Sequence, residues 1–254
     1  MCYWLHQVQV SYKTNIQIIL HLFQALLFNR SSPMKIVRLC KKMTPDQRNL
    51  VIGADFGDIL GMKCSKLIPE LCRYLISCFD PSSCALDFGY RGRIPITDES
   101  VCKVMGVPMG STTVSYHLDV EATRFILQKF GIQYGKPPTM ASLELQLAPN
   151  QPADDVYLTK FILYLMNSVF APTTGIRASP RCYPSLLNIK GVKDLNWARF
   201  IIYILIKTAN AKDMKNWFKA CMPYLMVCNF YFLHVACLII IWIPNFYGSA
   251  VTTC

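Results

Sequence analysis

The stretch that decides the fold is Asp155-Val-Tyr-Leu-Thr-Lys-Phe-Ile-Leu-Tyr-Leu-Met-Asn-Ser-Val-Phe170. Its apolar side chains would cover nearly the whole circumference of a helix, and a helix that is apolar all round belongs inside a domain. Asp154 and Asp155 stand at the start, where the positive end of the helix dipole favours acidic groups. The pattern therefore predicts a helix over 154–170 at the centre of a core.

Further helices are predicted on both sides of this segment, each from apolar residues at helical spacing bounded by a capping residue or a helix breaker. They cover Thr44–Gly53, Ser65–Phe79, Asp119–Phe130, Thr139–Leu147 and Asp194–Ala209. The last of these is as apolar as the 154–170 segment. We therefore expect these two helices to pack on each other.

Two short strands are predicted where the helical pattern stops. Ala85–Phe88 and Arg93–Ile96 flank the turn sequence Gly89-Tyr-Arg-Gly92, and Pro95 confines the second strand to an edge because proline has no amide to donate. A short helix follows from Thr97 to Met105. The predicted fold class is mainly α, a single helical domain with a small β-hairpin, plus an apolar C-terminal helix.

Composition and charge divide the chain into three parts. Of its 254 residues 53% are apolar, enough for one substantial core, and its 12 cysteines lie too far apart for a compact disulfide framework. An apolar and basic N-terminal arm covers residues 1–43, the helical domain 44–219, and an uncharged apolar tail 220–254. The apolar run Ile16–Phe28 in the arm is too short to span a bilayer, which favours a buried or groove-binding helix.

The tail leaves two interpretations open. Ala220–Cys254 contains no Lys, Arg, Asp or Glu, although the net charge of the chain is +11. Met222–Ile243 is long enough to cross a hydrocarbon core of about 30 Å as a helix. The lysines before it would place the body in the cytoplasm. Asn229 and His234 oppose insertion, so a buried tail is the alternative.

The segment Leu86-Asp-Phe-Gly-Tyr-Arg-Gly-Arg-Ile-Pro-Ile-Thr-Asp-Glu-Ser-Val-Cys-Lys-Val-Met-Gly-Val-Pro-Met-Gly110 resembles the core of the plant mobile domain family. In that family, also labelled aminotransferase-like, a strand pair leads into a capped helix and a Gly-x-Pro turn. The matching positions, read as structural ones, are Thr97, Val101, Gly106, Pro108 and Gly110. The resemblance implies a nuclear helical domain without cofactor, similar to transposon-derived proteins that are often joined to a Ulp1-like cysteine protease.

No catalytic set is evident in the sequence. A cysteine protease needs a Cys, a His and an Asp or Asn that converge in space. His117 is the one mid-chain histidine, and Cys102, Asp98 and Asp119 are near it in sequence. A histidine near a buried cysteine is more often structural, so we predict no catalytic residues.

Metal and cofactor sites are not predicted either. Structural zinc sites use close ligand pairs, and the chain contains no Cys-x-x-Cys and no His-x-x-x-His. Cys64, Cys72, Cys78 and Cys84 lie six to eight positions apart, which suits core positions better. The glycines around Pro108 are too few for a phosphate-binding loop.

Phosphate contact is the chemistry that the hairpin suggests. Arg91 and Arg93 are alternate residues, so a strand would place them on the same face, and Lys103 follows in the next helix. In the alternative interpretation the arginines pair with Asp87 or Glu99.

We therefore predict a non-enzymatic binding or scaffold protein of the plant mobile domain type. Its partner would be an unknown protein or nucleic acid, and its location the nucleus. Two alternatives stay open: a tail-anchored membrane protein carrying the same domain, and a truncated relative of a Ulp1-like protease that lacks the catalytic half.

Overall fold

Helices make up most of the described chain, which in this computed structural model comprises residues 28–29, 31–63, 66–132, 135–211 and 217–229. The α-helices are α1 (Pro33–Lys42), α2 (Pro45–Gly53), α3 (Pro69–Cys78), α4 (Asp98–Met105), α5 (Val120–Lys129), α6 (Met140–Leu145), α7 (Asp155–Leu165), α8 (Trp197–Ala209) and residues 222–229 (α9). A π-helical turn, Met166–Phe170, continues α7. Short 3-10 turns cover Gly57–Gly61, Gly89–Arg91, Pro180–Cys182, Pro184–Leu186 and Ile189–Asp194. The prediction of a mainly α fold is confirmed.

Strands are short and form three small sheets. The largest is antiparallel, with strands in the order β2 (Phe79–Asp80), β3 (Ala85–Asp87) and β4 (Arg93–Pro95). It contains the predicted hairpin with Pro95 on the edge strand, and adds β2, which was not predicted. Two parallel pairs join β1 (Phe28–Asn29) to β7 (Trp217–Phe218) and β5 (Thr112–Thr113) to β6 (Leu195–Asn196).

Two predicted helix starts are wrong, each for a local reason. Helix α3 begins at Pro69 and not at Ser65, because proline fits the first helical position, where no amide partner is needed. Helix α8 begins at Trp197 and not at Asp194. The residues before it pair with β5, and the side chain of Asn196 accepts a hydrogen bond from the amide of Arg199 at 2.8 Å.

The centre of the core is α7 with its π-helical turn. All side chains from Tyr157 to Phe170 are buried except that of Lys160, which confirms the predicted all-round burial of this segment. The contact with α8 takes a different form from the predicted one. Helix α8 packs chiefly on α4, and it meets the π-helical turn where the rings of Phe170 and Trp197 lie 6.2 Å apart.

Trp197 joins several parts of the core at the start of α8. Its side chain is fully buried, and its ring lies edge-on to that of Phe56 at 5.5 Å. Its indole N–H donates to the carbonyl of Val192 at 2.7 Å, and its amide donates to the carbonyl of Pro108 at 3.1 Å. One residue thus connects the α2 region, the 3-10 turn over 189–194 and the turn after α4.

The core extends beyond the predicted domain boundaries of 44 and 219. Ile36 and Leu39 of α1 belong to it, as do Met222 and Leu225 near the other end. Both segments therefore complete the same core as α7 and α8.

The described part of the tail lies inside the protein. Helix α9 packs between α3 and α4: Met226 Sδ is 3.8 Å from Cys72 Sγ, and the hydroxyl of Tyr224 is 2.7 Å from that of Ser100. Of the two interpretations of the tail, burial is observed for 222–229, and a membrane helix over the whole of 222–243 is wrong for this part. Residues 230–254 and the apolar run over 16–27 lie outside the described residues.

None of the helices in the described ranges combines the length and the apolar content needed to cross a membrane.

Gly110 provides a test of the packing between the turn after α4 and β6. A Cβ atom on Gly110 would lie 2.0 Å from the backbone oxygen of Asp194. We expect Gly110→Ala to lower the free energy of unfolding by about 2–3 kcal/mol, because backbone must move. Urea denaturation measures this. The control is Gly53→Ala, where a Cβ meets no atom within 4 Å; equal stability of the two variants would contradict the packing described here.

Candidate functional site

The hairpin turn between β3 and β4 is held by backbone and side-chain hydrogen bonds. Asp87 accepts a bond from the amide of Gly89 at 2.8 Å, and the amide of Phe88 donates to the carbonyl of Gly92 at 3.0 Å. Gly89 and Gly92 have φ angles of 63° and 103°, which residues with a Cβ rarely adopt. The turn therefore has one well-defined conformation.

This turn presents an aromatic and cationic group to solvent. Tyr90 is 95% exposed. The guanidinium carbon of Arg91 lies 5.8 Å from the ring centre of Tyr90 and 5.9 Å from that of Tyr74, and Arg91 donates to the Tyr74 hydroxyl at 2.7 Å. Tyr74 in turn stacks on Phe88 at 6.0 Å. We call Tyr74, Tyr90 and Arg91 the hairpin tip.

Arg93 forms ion pairs with acidic residues of the same sheet. It forms ion pairs with Asp80 at 3.4 Å and Asp87 at 3.3 Å, and it donates to the Ser83 hydroxyl. Hydrogen bonds from Ser82 and Ser83, with a smaller contribution from Arg93, lower the pKa of Asp80 to about 2. Two carboxylates therefore balance the charge of Arg93.

The three residues predicted to contact phosphate, Arg91, Arg93 and Lys103, do not form one site in the structure. Arg91 lies in the 3-10 turn and not in β4, so Arg91 and Arg93 do not alternate along one strand, and they have different partners. The alternative pairing with Asp87 is observed for Arg93. Lys103 is exposed in the last turn of α4, where the helix dipole favours a cation.

The motif residues from Thr97 to Gly106 shape the corner around α4. The hydroxyl of Thr97 accepts from the amide of Ser100 at 3.2 Å, and Val101 is fully buried. Gly106 ends the helix with φ 59°, and a Cβ there would lie 2.1 Å from Cβ of Asp58. These residues therefore cap the helix and pack its ends.

The rest of the motif attaches this corner to α8. Pro108 supplies the carbonyl that accepts from the Trp197 amide, and the amide of Gly110 donates to the carbonyl of Leu195 at 3.2 Å. Asp98 accepts from Asn196 at 3.1 Å and pairs with Arg199 at 2.7 Å. Asp98 is therefore already engaged and does not orient a histidine.

Two of the residues considered for a protease form a long ion pair with each other. His117 has Asp119 as its ion-pair partner, at a long 4.0 Å, and both side chains are largely exposed. Burial raises the pKa of Cys40 to about 11 and that of Cys182 to about 12. Thiols so protonated are poor nucleophiles and poor metal ligands. Within the described ranges no group of three His, Cys, Asp or Glu side chains is placed to hold a metal ion.

One known family model matches most of the chain. The model of a domain of unknown function (DUF8566) matches residues 29–226. The chain belongs to this family. Its match includes α1 and most of α9, so both segments fall inside the family domain. No curated protein and no solved structure matches the chain.

The resemblance to the plant mobile domain is wrong. The family found is DUF8566, and neither a plant mobile domain nor a Ulp1-like family matches. The residues that carried the resemblance are a hairpin, a helix cap and a Gly-x-Pro turn, which are local solutions that unrelated helical domains can share. The transposon origin and the protease relationship implied by that resemblance have no other support.

Asp80 gives a pH-dependent test of the sheet. Its lowered pKa means that the charged form stabilises the fold above about pH 4, the ordinary value, and that this stabilisation is lost as the pH falls through about 2. We expect Asp80→Asn to remove this part of the acid dependence. Urea denaturation between pH 2 and pH 6 measures it. Parallel stability curves for the wild type and the variant would contradict the bonding described for Asp80.

Proposed function

We propose that this protein is a non-enzymatic binding protein that holds a protein partner through the hairpin tip. The observation that carries the proposal is Tyr90, which is 95% exposed on a turn of fixed conformation. Tyrosine combines an apolar ring with a polar hydroxyl, and it is enriched at protein interfaces for that reason.

The composition of the hairpin tip fits this role. Tyr and Arg are among the residues most enriched where binding energy concentrates in protein interfaces. Arg91 braces Tyr90 from one side and is itself held by Tyr74. Because the turn and Arg91 are already ordered, little conformational entropy would be lost on binding. Full burial of the Tyr90 ring would remove on the order of 150 Å² from water, which is worth about 3 kcal/mol or more.

The chemistry of the described residues supports binding over catalysis. The carboxylates of Asp80, Asp87 and Asp98 serve in ion pairs with arginines of the same fold. The thiols of Cys40 and Cys182 are kept protonated by burial. The predicted location in the nucleus stays a prediction. Anchoring through residues 222–243 is not part of the proposal, because residues 222–229 are needed inside the core.

Photo-crosslinking can identify the partner. We would place p-benzoylphenylalanine at position 90 of the full chain, expressed in cells, and at position 145 as the control. Leu145 is also strongly exposed, at 75%, but lies on α6. We expect a discrete adduct specific to position 90, whose protein component mass spectrometry would name. Identical adducts from both positions would argue against the hairpin tip as the contact.

Substitution of Tyr90 then tests the energetics with that purified partner. We expect Tyr90→Ala to weaken binding by about 150-fold, since the interface loses a buried ring worth about 3 kcal/mol. Tyr90→Phe should stay within a few-fold of the wild type because it keeps the ring. Calorimetry measures both, with Leu145→Ala as the control. Wild-type affinity for Tyr90→Ala would refute the proposal.

A further inference from the structure

Helix α1 has one buried face and one exposed face. Ile36, Leu39 and Cys40 pack in the core. The exposed positions of the helix are all basic: Lys35, Arg38, Lys41 and Lys42. We call these four residues the basic face. The basic face lies on the solvent side of α1, opposite the residues that pack in the core.

No acidic side chain of the described chain neutralises the basic face. None of its four residues is in an ion pair with a described carboxylate; the ion pairs present involve Arg73, Arg93, His117, Arg124 and Arg199. The sequence itself has no Asp or Glu before Asp46. The cationic charge of α1 is therefore uncompensated along the helix.

Two of these cations oppose the stability of the helix. Lys41 and Lys42 lie in the last turn, where the dipole favours them, but Lys35 lies in the first turn, where it does not. Arg38 has like-charged neighbours three positions before it, at Lys35, and three and four positions after it, at Lys41 and Lys42. Like-charged pairs at these spacings destabilise a helix. The charges of Lys35 and Arg38 thus do not stabilise the fold. This indicates that they serve to bind a partner.

We propose that the basic face of α1 binds the phosphate backbone of nucleic acid. Seven residues of helix rise separate Lys35 from Lys42, about 10 Å, and duplex DNA carries one charge per about 1.7 Å of its axis, so several phosphates lie within reach. Because the exposed positions are all cationic, the contacts are to phosphate and carry no base sequence.

A membrane surface fits α1 less well than nucleic acid does. Helices that bind bilayers place an apolar face among the acyl chains. The apolar face of α1 is already occupied by the core, where Ile36 is fully buried. The exposed groups of the helix are therefore all cationic, and a matching partner must carry closely spaced anions.

The basic face is a surface separate from the hairpin tip, so this inference goes beyond the proposed function. At the hairpin sheet the charge of Arg93 is balanced by Asp80 and Asp87. The two proposals can fail independently. Tyr90→Ala should leave nucleic-acid binding unchanged, and substitutions in α1 should leave the protein partner bound.

The test is the salt dependence of binding to a 20-base-pair duplex, followed by fluorescence anisotropy with the full chain. The variant combines Lys35→Gln, Arg38→Gln and Lys42→Gln. Each lost phosphate contact lowers the slope of log K against log salt concentration by about 0.9, so we expect a decrease of about 2.7. The matched control combines Lys136→Gln, Lys190→Gln and Lys193→Gln, which removes the same charge from exposed positions outside α1. It should keep most of the wild-type slope.

Stability gives a second readout that a purely structural role would not produce. We expect Arg38→Gln alone to weaken duplex binding and to raise the melting temperature by about 2 °C, because three like-charged pairs are relieved. A lowered melting temperature would contradict this account of Arg38. Equal slopes for the two triple variants would overturn the proposal. So would tighter binding to vesicles containing phosphatidylserine, or to polyglutamate, than to the duplex.

Discussion

The burial of Trp197 at the start of α8 is the constraint on which the rest of the structure depends. Its ring needs apolar neighbours, and Phe56 and Phe170 supply them from two other segments, with Phe200 of α8 itself as the third. Its two N–H groups need acceptors because an unpaired buried donor costs about 1–3 kcal/mol. The carbonyls of Val192 and Pro108 fill this need. The turn after α4 must therefore run beside α8, and the glycine at 110 permits that approach.

Both ends of the described chain close the core that Trp197 organises. Helix α1 covers one side with Ile36 and Leu39, and α9 fills the space between α3 and α4. This use of the apolar residues 222–229 explains why they lack charge. The same core holds two exposed surfaces in position, the basic face of α1 and the hairpin tip. The proposed binding roles follow from that rigidity, since an ordered surface loses little entropy on association.

Local features were predictable from the sequence, and long-range ones were not. The caps at Thr44 and Thr97 and the β3–β4 hairpin follow from residues within a few positions of each other, and they were found. The strand β2 and the burial of α9 depend on partners far away in sequence, which no local pattern reveals. The predicted alternation of Arg91 and Arg93 along one strand is wrong, because Arg91 lies in a three-residue 3-10 turn and only Arg93 lies in a strand. The spacing of Lys35, Arg38 and Lys42 can be read from the sequence. That these residues form an exposed basic face follows only from the burial of the opposite side of α1.

Native-state amide hydrogen exchange tests most directly whether the end segments and the Trp197 region form one core. The protection of amides in α1 and α9 should match that of α7 and α8, with the same free energy of opening, because all four would open only in global unfolding. An α9 that exchanges freely while α7 and α8 stay protected would contradict the account. In that case the apolar residues 222–229 would need an explanation other than burial in the domain.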